Sequence, residues 1–297
     1  MQTDLPGATM RLPDGRALGF AEYGDPHGAP LFFFHGLWAS RLTYHPDDQI
    51  ARSLGVRLIT IDRPGIGLSD PRPGRRLIDW PADVAALADA LQIPRFAVLG
   101  WSGGGAYALA CAYRMPERLT AVGLASGGAP LAGIDPAAHI TRQWRTAARI
   151  ARIAPWSIYL FARYQALTFR FQSQRFVEQL VERFPRCDQD VLAQPGMHKM
   201  MLETTQELYR QGCRGLYEDI LVFTRPWGFR LEEIRLPVQI WHGEADNVLS
   251  PAFARYLARG LPRCQATFYP NEGHFLLLKR WRDLLQSLTL RRETGIP

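Results

Sequence analysis

A serine hydroxyl attacks carbon only when a neighbouring base takes its proton, and an acid must hold that base in the right tautomer. Ser102 lies in Gly100-Trp101-Ser102-Gly103-Gly104, after the apolar run Phe96 to Leu99 and before the small-residue stretch Gly103 to Met115. That is the strand–turn–helix context in which a G-x-S-x-G spacing carries chemistry. A turn this sharp strains the serine backbone, and a bulky side chain two residues before or after it would clash; glycine fits both places. The plainer alternative is a glycine-rich helix start capped by serine.

The required partners are available. His274 lies in Asn271-Glu272-Gly273-His274-Phe275, and Asp246 in His242-Gly243-Glu244-Ala245-Asp246. Each follows a β-rich run, Ala266 to Tyr269 and Pro237 to Trp241. Open α/β sheets gather their sites at the carboxyl ends of strands. His35 and His242 also follow strands, and Glu244 competes with Asp246 as the acid. His242 precedes a glycine and is expected to shape its turn, while Asp62 is expected to organise Arg63-Pro64-Gly65. The chemistry open to such a set is attack on a carbonyl carbon, with no metal and no organic cofactor.

The elements that must position these residues alternate. Ala8 to Leu12 and Ala17 to Tyr23 flank the turn Pro13-Asp14-Gly15 and predict a hairpin. Pro30 to Phe34 and Val56 to Ile61 are strands, Asp79 to Leu91 a helix, and Ala121 to Ala125 another strand. This rhythm predicts an α/β fold: a mostly parallel twisted sheet of about eight strands flanked by helices. From about Pro130 to Pro226 no strand is evident; a helical pattern from Trp144 to Leu167, interrupted at Pro155, is followed by helical stretches from Ser173 to Phe184 and from Met197 to Arg210. The expected organisation is a core of residues 1–129 and 227–297 with a helical lid over 130–226. Pro251 opens a further helix, and Phe275 to Leu290 predicts a closing one.

Composition narrows the classes. With 47% hydrophobic and 21% charged residues the chain has material for a substantial core. The net charge of +7 comes almost wholly from arginine, since Lys199 and Lys279 are the only lysines. The arginines are spread along the chain without a nucleic-acid-binding motif, so no nucleic-acid partner is expected. Cys111, Cys187, Cys213 and Cys264 show no metal-ligand spacing. No run reaches the ~18 apolar residues of a membrane span. The amino-terminal stretch lacks a basic and then apolar leader pattern. A cytoplasmic location with reduced thiols is expected.

The ordered motifs His35-Gly36, Asp62-Arg63-Pro64-Gly65-Ile66-Gly67-Leu68-Ser69, Gly100 to Gly104, His242 to Asp246 and Gly273-His274-Phe275 resemble those of the α/β-hydrolase superfamily. The resemblance spans about Leu18 to Leu290 apart from the lid. It implies a lid-bearing serine hydrolase or esterase, with the backbone N–H groups of Leu37 and Gly103 as oxyanion donors. It is much less specific for substrate; if aromatic side chains line an apolar pocket under the lid, a medium-sized hydrophobic ester or lactone is the expected small-molecule ligand. Relatives that open epoxides attack with aspartate where this chain has Ser102, which disfavours that activity. Trp38, Trp101, Trp144 and Trp156 are candidates to line an apolar substrate pocket; aromatics at helical spacing can equally be plain core. A basic, aromatic lid could also lie on a membrane surface, although the sequence displays no clean charged face. Perhydrolysis, C–C bond hydrolysis, lyase chemistry on the same triad and a non-catalytic small-molecule receptor remain alternatives.

Overall fold

The computed structural model describes residues 5–131 and 142–289. Eight strands form one sheet: β1 (Ala8–Arg11), β2 (Ala17–Gly24), β3 (Ala29–Phe34), β4 (Val56–Ile61), β5 (Phe96–Trp101), β6 (Leu119–Ala125), β7 (Val238–Gly243) and β8 (Cys264–Tyr269). Their order is β1-β2-β4-β3-β5-β6-β7-β8. The β1–β2 and β2–β4 pairs are antiparallel and all others parallel.

The central strands β3 and β5 read as unbroken apolar runs because both faces of the sheet are covered. Phe32 and Phe34 of β3, Ile59 and Ile61 of β4, and Phe96 and Val98 of β5 enter one core. Helices α2 (Trp80–Ala90), α3 (Gly104–Arg114) and α9 (Pro251–Gly260) contribute Leu87, Leu109 and Phe253 to that layer. The alternate residues Leu31, Phe33, Leu58 and Leu99 face the opposite core. There α1 (Gln49–Ser53) and α11 (Trp281–Thr289) supply Ala51, Trp281 and Leu284. The closing helix expected from Phe275 to Leu290 is broken: α10 (Leu276–Lys279) ends before α11, and Leu290 lies outside the described residues.

Between β6 and β7 the described chain is helical: α4 (Arg142–Ile153), α5 (Pro155–Val181), α6 (Arg186–Leu192), α7 (Met197–Leu208) and α8 (Arg214–Thr224). Pro155 opens α5 at the break from α4, where it needs no backbone N–H. The short helices α6 and α8 are additional to the sequence expectation. A third core of Ala151, Ile158, Ala162, Leu208, Leu216 and Ile220 joins α4, α5, α7 and α8 and packs on Ile66, while Val191 and Leu192 of α6 enter the second core. Among the described residues no helix is long and apolar enough to cross a membrane.

Candidate active site

The parallel strands point their carboxyl ends at one rim, and the turns after β3, β5, β7 and β8 meet there. At the β5–α3 turn Ser102 takes a left-handed backbone (φ 55°), a strained conformation for a side chain other than glycine. The turn is fastened to the next strand by Ser102 N–H donating to Ala125 O at 2.9 Å. A Cβ on Gly104 would overlap the carbonyl oxygen of Phe34, and one on Gly100 would overlap Gly104 O. Both glycines are therefore required by close approach of helix and strand.

His274 follows β8 and Asp246 follows β7, as the spacing expects. His274 Nδ1 lies 2.8 Å from Asp246 Oδ2. Asp246 Oδ1 accepts the backbone N–H groups of Val248 at 2.8 Å and Leu249 at 2.9 Å, which fixes the carboxylate plane. Burial opposes ionisation of Asp246, but the charge of His274 and hydrogen bonds from His242 and His274 outweigh it. The carboxyl is held well below the ordinary carboxylate range. Ser102 and His274 line one cavity of about 590 Å³. Among the described residues Ser102 Oγ makes no direct hydrogen bond to the imidazole.

The rival residues have other partners. His242 Nε2 lies 2.8 Å from Leu249 O and 3.3 Å from Asp246 Oδ2, so it braces the acid and its turn. His35 Nδ1 lies 2.9 Å from Gly36 O, and burial followed by the charge of Arg63 pushes it well below the usual imidazole range. Glu244 pairs with Arg255 at 2.5 Å on the surface. Asp62 accepts from the backbone N–H groups of Arg41 and Leu68, as a turn organiser does.

Leu37 and Gly103 are adjacent: a Cβ on Gly103 would stand 3.4 Å from Leu37 N. Among the described residues neither backbone N–H donates to another group. Arg63 holds the turn that carries Leu37, donating to His35 O at 2.5 Å and Gly36 O at 2.7 Å. Trp38, Trp101 and Trp144 line the cavity with Leu37, Phe161, Phe184 and Phe223. Trp101 also donates from Nε1 to His274 O at 3.0 Å. Trp156 does not belong with them. It is 65% exposed and absent from the cavity wall, because α5 turns Ile158 and Ala162 inward and Trp156 out.

Three buried carboxylates from the helices between β6 and β7 escaped the sequence reading. Asp188 of α6 accepts the backbone N–H groups of His274 and Phe275, both at 2.8 Å. Burial raises its pKa, against the lowering effect of those two hydrogen bonds. Glu207 of α7 pairs with Arg41, which also pairs with Asp62 at 2.7 Å. Asp219 of α8 pairs with Arg63 at 2.7 Å and with Arg75, and accepts from Tyr107 Oη at 3.0 Å. Burial disfavours the Asp219 anion, yet Arg63 and Arg75 win and bring its pKa down to about 2. An isolated acid inside a helical stretch reads as a solvated surface residue, so no sequence signal separated these three from their neighbours. All four cysteines are free thiols.

Comparison with known proteins agrees with this architecture. The chain is 34% identical over 125 residues to a non-heme chloroperoxidase of Streptomyces lividans, covering 41% of this chain and 45% of that protein. It thus spans less than half the length of that relative. It is 28% identical over 275 residues to a pimeloyl-[acyl-carrier protein] methyl ester esterase of Aromatoleum aromaticum, covering 85% of this chain and 94% of that one. A solved hydrolase of Pseudomonas aeruginosa PA01 superposes with a TM-score of 0.69 at 18% identity, over 96% of this chain and 99% of the other. Residues 31–286 match the alpha/beta hydrolase family, and the chain belongs to it.

Proposed function

We propose that this protein is a serine hydrolase that cleaves a carboxylic ester or lactone of a small-to-medium hydrophobic substrate. Ser102 is the nucleophile, His274 the base and Asp246 its orienting acid. The helices between β6 and β7, within residues 130–226, act as the lid over the cavity. The observation that carries this reading is the His274–Asp246 pair at 2.8 Å in a cavity it shares with a strained Ser102.

In the first half-reaction His274 Nε2 takes the hydroxyl proton as Ser102 Oγ bonds to the carbonyl carbon. The carbonyl oxygen becomes an oxyanion and accepts from the free N–H groups of Leu37 and Gly103; each such donor is worth about 3–4 kcal/mol in the transition state. Collapse breaks the bond to the alkoxy oxygen, which leaves with the proton from His274. Water then gives a proton to His274 and attacks the acyl-enzyme. Collapse of the second tetrahedral adduct releases the acid and returns the proton to Ser102. Asp246 stays ionised throughout, consistent with its depressed pKa.

The mainly apolar wall of the cavity, with Leu37, Trp38, Phe161, Phe184 and Phe223, supports a hydrophobic acyl group. The test is hydrolysis of nitrophenyl esters of increasing acyl length by wild type and Ser102→Ala, with mass detection of an acyl adduct. Loss of turnover and of the adduct in the variant is expected; near-wild-type turnover removes the proposal. The similarity to a chloroperoxidase favours one further reading, perhydrolysis by the same triad. Peracid formation from a carboxylic acid and hydrogen peroxide would reveal it.

A further inference from the structure

Among the described residues every large hydrophobic side chain left exposed falls between Ile153 and Phe171. Trp156, Leu160, Tyr164, Leu167 and Phe171 recur at three- and four-residue spacing along α5. At about 3.6 residues per turn that spacing draws one continuous stripe. The opposite side of the helix, with Ile158, Ala162 and Phe169, is buried. Helix α5 is therefore apolar on two faces, and the outer one is uncovered: Tyr164 is 69% and Phe171 76% exposed. A contiguous apolar surface of this kind marks an interaction site.

The charge beside the stripe indicates what covers it. Residues 142–177 contain seven arginines and no Asp or Glu. The whole chain has 35 basic and 28 acidic side chains, a surplus of seven, so this segment accounts for the entire net charge. Arg149, Arg152, Arg163, Arg170 and Arg175 are exposed, and none makes an ion pair among the described residues. Arg163 and Arg170 flank the stripe at helical spacing. Before Pro155, Arg145, Arg149 and Arg152 join Arg225 around a recess of about 580 Å³. A second copy docked through a two-fold axis would set these arginines against themselves. An apolar stripe bordered by uncompensated cations instead matches the acyl–headgroup boundary of an anionic bilayer.

We propose that the outer face of α4 and α5 docks on an anionic lipid surface, with the stripe in the interfacial layer and the arginines on phosphate headgroups. Phe161 and Gln165, on the same helix, line the catalytic cavity. Docking therefore sets a wall of that cavity at the lipid surface.

The test is flotation of the full chain with phosphatidylcholine vesicles, pure or containing about one third phosphatidylglycerol. Binding to the anionic vesicles is expected, and at least about tenfold weaker binding to the neutral ones. A Leu160→Ser/Tyr164→Ser/Phe171→Ser variant should lose about tenfold or more in vesicle affinity while keeping wild-type hydrolysis of a soluble ester. Arg163→Gln with Arg170→Gln should weaken binding about fivefold per arginine, which keeps the test decisive if the apolar variant misfolds. Absence of vesicle binding overturns the proposal, as does wild-type flotation of both variants. A lipid-free dimer that the triple variant dissociates in sedimentation velocity would assign the face to a second copy and also overturn it.

Discussion

Replacing Asp188 with asparagine removes a charge that touches no substrate but holds the backbone of the proposed base. The carboxylate accepts two N–H groups, from His274 and Phe275, each at 2.8 Å. Asparagine offers one carbonyl oxygen, so one N–H keeps its acceptor and the other faces an NH2 group. A hydrogen bond to a charged acceptor is worth about 1.5–3 kcal/mol net. If the loss falls on the placement of the imidazole, kcat/KM drops by about ten- to a hundredfold. The expected pattern is a fall in kcat larger than any change in KM for a soluble nitrophenyl ester. Asp188 also interacts electrostatically with His274. A variant with reduced Tm but unchanged kcat and kcat/KM would show that Asp188 serves stability alone and would refute the reasoning.

The neighbouring Gly273 should tolerate no Cβ, because one built there overlaps the Asp188 carboxylate. Gly273→Ala is expected to cost about 1–3 kcal/mol in urea unfolding, and less in an Asp188→Ala background. The pKa of Asp219 is lowered from 3.8 to about 2. The sign follows: its contribution, about 2–3 kcal/mol, is complete above pH 3.8 and lost as pH falls toward 2. Acid unfolding of Asp219→Asn should therefore lack the steep loss of stability that wild type shows across that window, while the variant is weaker at neutral pH. Phe161→Ala widens the cavity wall, and the kcat/KM ratio of long-chain over short-chain nitrophenyl esters should rise by about tenfold.

The parts most legible in the sequence were those under the strongest local constraint. Pro30 to Phe34 was recognisable as a strand because a segment buried on both faces has no polar alternation to confuse it. Gly100 and Gly104 marked the serine turn because two close backbone approaches leave room for nothing larger. The orienting partners were not legible in the same way. Asp188 and His274 lie 86 residues apart, and their contact exists only once α6 has folded against the turn after β8. The mostly apolar α8 was missed because only a few of its eleven residues face solvent, leaving little periodic contrast. Trp156 misled for the converse reason: its spacing from Leu160 and Tyr164 is that of a core stripe, yet the stripe faces outward. The missing acids between residues 142 and 177 were the signal that could have identified that face.

The carboxylates of α6, α7 and α8 also bear on how such a protein could be rebuilt. Arg41, Arg63 and Arg75 belong to the sheet side of the molecule and are fully or almost fully buried. Grafting in a foreign helical segment that lacked acids at the positions of Glu207 and Asp219 would strand Arg63 and Arg75 without their counter-ion and leave Arg41 with Asp62 alone. Orphaning a buried charge costs about 3–5 kcal/mol. Substrate range in this scaffold can therefore be redrawn by exchanging wall residues of α4 and α5 far more readily than by transplanting the whole segment.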